Sequence, residues 1–319
     1  MPTERNKIVN TYKFPLLPKL RDKLWREPAP NFFRGLGRGM FFLLITFLIN
    51  CTEDVNLGVV GGEKKIVIEG SIENGKPAKV IVTRSSPVSQ AIDVNSILVT
   101  DAKVYVSDGI IIDTLTLGID SFASLPVLYN GSVVIGVPHQ TYYLTVVADG
   151  KTYTAITTIP EPIALDSVWW KPQPPSDTLG WAWAHISEPP GYGNAYKWFA
   201  KRSGDRRYLA PFGSSFDDKF IDGKSFDFAY NRGSDPNDPT ANDPEDITRG
   251  FYKHSDTIYI KFCTMDHNTA LFYTTYEAAM QTNGNPFASP VSIISNINGG
   301  ALGVWGGFGC TYDTIMPAH

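Results

Sequence analysis

Cysteine is scarce in this sequence, with three in 319 residues, and histidine is nearly as rare, with five. There is no Cys-x-x-Cys, and no two histidines stand at a spacing that puts metal ligands on one helix face, so no metal site is expected. Neither a Gly-x-Ser-x-Gly elbow nor a Gly-x-x-x-x-Gly-Lys phosphate loop occurs. With no acid, base and nucleophile set in view, the expectation is a protein that is not an enzyme and has no cofactor. Charge is low as well, at 19% of residues, and no apolar run reaches the roughly 18 residues that a spanning helix requires. Excess basic charge is confined to the start. Residues before Cys51 hold nine basic and three acidic side chains, leaving 19 basic against 29 acidic, a net charge of about −10, for the rest. That balance argues against nucleic acid as a partner, because phosphate contact needs a basic face.

The basic start has the layout of a secretory signal. Arg34 and Arg38 precede the apolar run Met40–Ile49, and Asn50 and Cys51 follow. Leu48-Ile49-Asn50-Cys51 resembles a bacterial lipobox, with Asn50 where Gly, Ala or Ser is usual. Residues 1–50 are therefore expected to be a signal peptide with a basic extension, and Cys51 the lipidated first residue of a tether, 51–63. Acyl chains on Cys51 would hold the protein to a membrane, each buried CH₂ contributing about 0.8 kcal/mol. Thr52-Glu53-Asp54 is similar to the signal that sends lipoproteins to the outer face of the outer membrane. In that oxidising setting Cys263 and Cys310 remain as an even pair; a disulfide and two buried free thiols both stay open.

From Lys64 the chain reads as short β-rich runs separated by turn dipeptides. Lys65–Glu69 and Lys79–Arg84 flank Asn74-Gly75, a hairpin signal because a type I′ turn needs positive φ at both central positions. Val104–Val106 and Ile110–Ile112 flank Asp108-Gly109, Asn130-Gly131 precedes Ser132–Ile135, and Tyr142–Ala148 and Lys151–Thr157 flank Asp149-Gly150. About seven strands at intervals of roughly ten residues predict an immunoglobulin-like β-sandwich over 64–160. Pro160 and Pro162 close it, and 161–319 is expected to be a second β-rich domain with one short helix. Its strands are placed at Gly180–Ala184, Tyr196–Ala200, Lys224–Tyr230 and Asp256–Phe262. Its helix is placed at Ala270–Gln281, capped by Asp266 or Asn268 and ended by Asn283-Gly284. The predicted class is all-β.

Three segments carry candidate function. Gly299–Gly309 is glycine-rich but lacks a βαβ setting, so it reads as a strand where backbones approach closely beside Trp305 and Phe308. Asp235–Asp246 holds five carboxylates and two Asn, yet its spacing matches no calcium loop. Trp169, Trp170, Trp181, Trp183 and Trp198 lie within thirty residues, and Trp181 and Trp183 share a face if that run is a strand. Exposed, such rings would stack on a sugar or dock a partner; packed, they are core. A pocket gathering Asp266, His267 and His254 would be the mark of a hydrolase.

Taken in order, several pieces resemble one family, the domain of unknown function 4249 family of Bacteroidota outer-membrane lipoproteins. They are Cys51–Leu57, Lys65–Gly70, Thr141–Val146, Asp149–Ala155, Phe220–Phe226, Asn285–Val291, Ser295–Gly300 and Gly303–Phe308. Trp305, where a Phe is more usual, and Ala301 inside the glycine run depart from the pattern. The resemblance implies an accessory lipoprotein without assigned catalytic residues, working beside a TonB-dependent transporter. The expected function is thus a non-enzymatic, lipid-anchored scaffolding or binding partner of an outer-membrane β-barrel. The alternative is a surface lipoprotein that binds a glycan or nutrient.

Overall fold

Why a chain so poor in charge folds as it does follows from strand alternation, and a computed structural model gives the arrangement. It describes residues 63–87, 93–120, 125, 127–234, 248–282, 287–289 and 291–316. The signal, Cys51, the acidic segment 235–246 and the helix stop at Asn283-Gly284 fall outside the described residues.

Seven strands precede Pro160: β1 Ile66–Glu73, β2 Pro77–Arg84, β3 Lys103–Ser107, β4 Ile112–Ile119, β5 Val127–Ile135, β6 Thr141–Ala148 and β7 Lys151–Thr158. Eight follow: β8 Ser167–Pro172, β9 Leu179–Ser187, β10 Ala195–Arg202, β11 Ser215–Asp217, β12 Ser225–Tyr230, β13 Tyr252–Lys253, β14 Ile258–Met265 and β15 Leu302–Ile315. The protein is all-β, as expected. The helix expected after Asp266 is α2, His267–Thr282, preceded by a four-residue α1 at Val94–Ile97 that the sequence reading did not place. Asp93 caps α1 by accepting from the Asn95 N–H. Asp266 caps α2, its Oδ1 accepting from the Thr269 N–H at 2.7 Å.

Eleven strands form one sheet in the order β11-β10-β14-β15-β1-β2-β5-β4-β3-β6-β7, and β8, β9, β12 and β13 form a smaller one. The expected boundary at residue 160 coincides with a change of core, but the hydrogen bonding runs across it. β15 pairs parallel with β1, from Val67 opposite Leu302 to Glu73 opposite Phe308, and antiparallel with β14. Ile68, Ile72, Val80, Val104, Leu144 and Val146 form the first core, which β15 completes with Trp305. In the second core, Tyr196, Trp198, Ile260 and Phe262 of the large sheet pack on Ala182, Ala184 and Ile186 of the small one.

The glycine run is a strand of close approaches. At Gly303, φ is 115°, and a Cβ would stand 1.9 Å from the Ile68 carbonyl oxygen; at Gly309 it would stand 2.3 Å from that of Pro160. No larger side chain lets β15 lie this near its neighbours.

Turn chemistry follows the dipeptides unevenly. Asp149 and Gly150 both take positive φ, 51° and 73°, as a type I′ turn requires. At Asn74-Gly75 only the glycine does, at 76°. Asn74 instead clamps β15, its Oδ1 accepting from the Cys310 N–H at 2.6 Å and its Nδ2 donating to the Cys310 carbonyl at 3.2 Å. Asn130-Gly131 lies inside β5 rather than before it. There Gly131 leaves room for the Asp113 carboxylate, which accepts from the Ser132, Val133 and Val134 N–H groups at 2.7, 2.7 and 3.1 Å.

Candidate functional site

Alternation gives the large sheet two faces, and both cores claim the same one. The opposite face carries Glu69, Ser71 and Glu73 of β1, Phe308, Cys310 and Tyr312 of β15, Lys261 and Cys263 of β14, and Lys197, Phe199 and Lys201 of β10. Helix α2 covers part of it, where Tyr273, Phe308, Phe199, Met265 and Ala270 pack around Cys263 and Cys310. These two cysteines stand directly opposite each other on β14 and β15 and are bonded as a disulfide. Beside this patch, under the β10–β11 connection that carries Arg206, Arg207 and Tyr208, a cleft of about 380 Å³ stays open.

The cleft mixes charge with rings. Lys261 is largely buried, and its Nζ meets Glu73 Oε1 at 2.6 Å; the other Glu73 oxygen takes Lys76 Nζ at 2.8 Å and the Tyr312 hydroxyl at 2.9 Å. Lys76 also donates to the Tyr312 hydroxyl. Burial alone would raise the Glu73 pKa, but the Lys261 ammonium and the hydrogen bonds from Lys261 and Lys76 outweigh it and hold the carboxyl at about 2. Burial also pushes Lys261 below the usual lysine range, with Glu73 pulling it back. The same ammonium lies 4.3 Å from the Phe199 ring centre and 5.8 Å from that of Tyr208. Lys79 pairs with Asp120 at 3.0 Å.

Glu69 is different. Its side chain is open to solvent at the cleft, yet burial among the surrounding protein pushes its pKa above the usual carboxylate range, against the pull of Arg207. It makes no hydrogen bond or ion pair with any described residue. A concave site with aromatic walls and a few convergent polar groups is where small ligands bind. Two other features fit a ligand less well. A groove of about 420 Å³ lined by Phe216, Phe220, Phe226 and Phe228 has few polar groups to orient anything. The carboxylates of Glu188, Asp218 and Asp222 lie within 4.8 Å of one another, but each already holds the local backbone: Glu188 accepts from the Gly223 N–H, Asp218 from those of Gly193 and Asn194, and Asp222 from that of Gly191.

The five tryptophans do not gather at one site. Trp198 is fully buried in the second core, 5.8 Å from Phe228 and 5.5 Å from Tyr230, so its role is packing. Trp169 and Trp183 face each other across β8 and β9 with ring centres 6.2 Å apart, and Lys171 lies 4.7 Å above Trp183. Trp181 shares their face, half-buried like them. Trp170 points the other way, packs on the second core, donates to the Tyr252 carbonyl at 3.2 Å and meets the His254 ring edge-on at 4.8 Å. His254 is thus spent on Trp170, while Asp266 caps α2 and accepts from Thr157 and the Thr158 N–H. Among the described residues nothing joins His254 to Asp266 or His267.

The cleft was not visible in sequence because its residues come from six strands, helix α2 and the β10–β11 connection, up to 239 positions apart. The sequence reading gave Glu69 and Glu73 no role. The one signal available was their shared parity with Ser71 on a strand whose other residues are all apolar or glycine.

No curated protein matches the chain. A family model described as a domain of unknown function, DUF4249, matches residues 52–313, which takes in both sheets, α2 and every wall of the cleft, and the chain belongs to that family.

Proposed function

We propose that this protein is a non-enzymatic lipoprotein, anchored through Cys51 at the outer membrane, that captures a small polar solute for a neighbouring β-barrel such as a TonB-dependent transporter. The cleft beside the Glu73–Lys261 pair carries the reading. It is concave, walled by Phe199, Tyr208, Tyr273 and Phe308, and offers the Glu69 carboxylate together with the Lys201 and Arg206 cations. Glu73 and Lys261 lock each other, which suits a rigid recognition surface better than proton transfer. A lipid anchor confines the protein to two dimensions and raises its effective concentration near a barrel, so a modest interface suffices for delivery.

The test is a thermal-shift screen of the full-length protein in detergent against polar solutes, comparing wild type with Phe199→Ala. Stabilisation by a solute class that Phe199→Ala abolishes supports capture; a flat screen argues against it. The anchor and partner are tested separately, by palmitate labelling of Cys51 and by co-purification from solubilised outer membranes.

A further inference from the structure

The cleft carries more positive than negative charge, although the chain from Cys51 onward is acidic as a whole. Each of its three carboxylates is already matched. Arg207 acts on Glu69, Lys261 and Lys76 together hold Glu73, and Lys79 pairs with Asp120. Glu73 therefore has two ammonium groups for one negative charge. Lys201 and Arg206 line the same cleft and make no ion pair with a described residue.

Neither of these two is neutralised by its chain neighbours. Asp205, one residue before Arg206, is spent on Arg202, accepting from its guanidinium at 2.9 Å and from its backbone N–H at 2.8 Å. The Lys201 ammonium lies 5.1 and 5.7 Å from the ring centres of Tyr208 and Tyr259. Rings hold a cation in place without cancelling its charge. The Tyr208 ring is also 5.8 Å from the Lys261 ammonium. Lys201 and Lys261 are diagonal neighbours on one face, since Phe199 stands opposite Lys261 and Lys201 opposite Tyr259. Positive groups thus crowd the part of the cleft around Tyr208, away from Glu69.

We propose, resting on the solute-capture reading, that the solute is a small dianion, a phosphate monoester of a sugar-sized body, its phosphate held by Lys201 and Arg206. Two unmatched cations call for two negative charges on one head. Arginine offers paired N–H donors to phosphate oxygens, and lysine a compact charge. A neutral sugar would leave both cations unmatched, and a cationic solute would meet the surplus charge of Lys76 as well. The space sets the size: a cleft of about 380 Å³ admits one ring and its head, not a chain.

The experiment is calorimetric titration of the full-length protein in detergent, at constant ionic strength, with glucose 6-phosphate, glucose and inorganic phosphate. Binding of the ester about tenfold or more tighter than of either other probe supports the proposal. Lys201→Met and Arg206→Gln should each weaken the ester by a similar factor, while Lys253→Met, which removes an exposed cation on β13, should not. Glucose or inorganic phosphate binding as tightly as the ester overturns the proposal. So does undiminished binding by an Arg206→Gln protein of unchanged melting temperature, or an equal loss in Lys253→Met. If glucose binds in a manner that Phe199→Ala abolishes and neither phosphate probe binds, the dianion falls while solute capture stands. If none of the three binds and the thermal-shift screen is flat, both fall.

Discussion

Lys261 on β14 reaches past β15 to Glu73 on β1, with Nζ and Oε1 2.6 Å apart across 188 residues of sequence. This pair ties the two halves of the chain together on the cleft face, as the β1–β15 hydrogen bonds do in the backbone. Removing one partner strands the other charge in a confined site, a loss of about 3–5 kcal/mol for buried pairs. Lys261→Met is expected to fall at the low end of that range, because Lys76 and Tyr312 still hold Glu73. The double variant Lys261→Met with Glu73→Leu should recover most of the loss. Urea denaturation of the three proteins measures it.

The same carboxylate gives the protein an acid limit. Glu73 titrates at about 2 when folded, against 4.5 when unfolded, so protons favour the unfolded chain as pH falls. Its contribution, roughly 3 kcal/mol by linkage, is complete above pH 4.5 and disappears on the way to pH 2. Asp113 acts in the same direction. Burial raises its pKa, but the three backbone N–H donors outweigh that and hold it below the usual carboxylate range. Stability measured by denaturant from pH 6 to pH 2.5 should fall, and Glu73→Gln should flatten the profile.

Cys263 and Cys310 close a loop of 47 residues that includes all of α2. In the chain-entropy account such a loop contributes about 4 kcal/mol. Native protein should show no free thiol at these positions, and Cys263→Ser with Cys310→Ala should lower the denaturation midpoint substantially. Two reactive thiols in oxidised, unfolded protein would contradict the pairing.

The tryptophans should separate by depth. Trp198→Ala empties a fully buried site, for a cost of about 3–5 kcal/mol, whereas Trp181→Ala on the half-buried outer face of β9 should cost much less. Melting temperatures rank the two directly.

Much of this fold was legible in the sequence. Period-two alternation and Asp-Gly steps located β6 and β7 almost to the residue, and spacing placed α2, with Asp266 one of its two candidate caps. The glycine run read correctly as a strand of close approach, because only small residues tolerate it. Two Asn-Gly steps misled, each for a side-chain reason: Asn74 is spent on the Cys310 backbone, and Gly131 makes way for Asp113. Tertiary demands overrode the local turn preference in both. The parallel pairing of β1 with β15 has no local signal, since it joins opposite ends of the described chain. The cleft depends on that pairing, and so it was hidden as well.

Solute capture is tested most directly by amide hydrogen exchange of the full-length protein with and without the polar solute that stabilises it most in the thermal-shift screen. The account predicts protection of the β10–β11 connection at residues 203–208, which roofs the cleft, with β8 and β9 unchanged. Protection confined to the Trp169–Trp183 face, or none at a concentration that shifts the melting temperature, would contradict it.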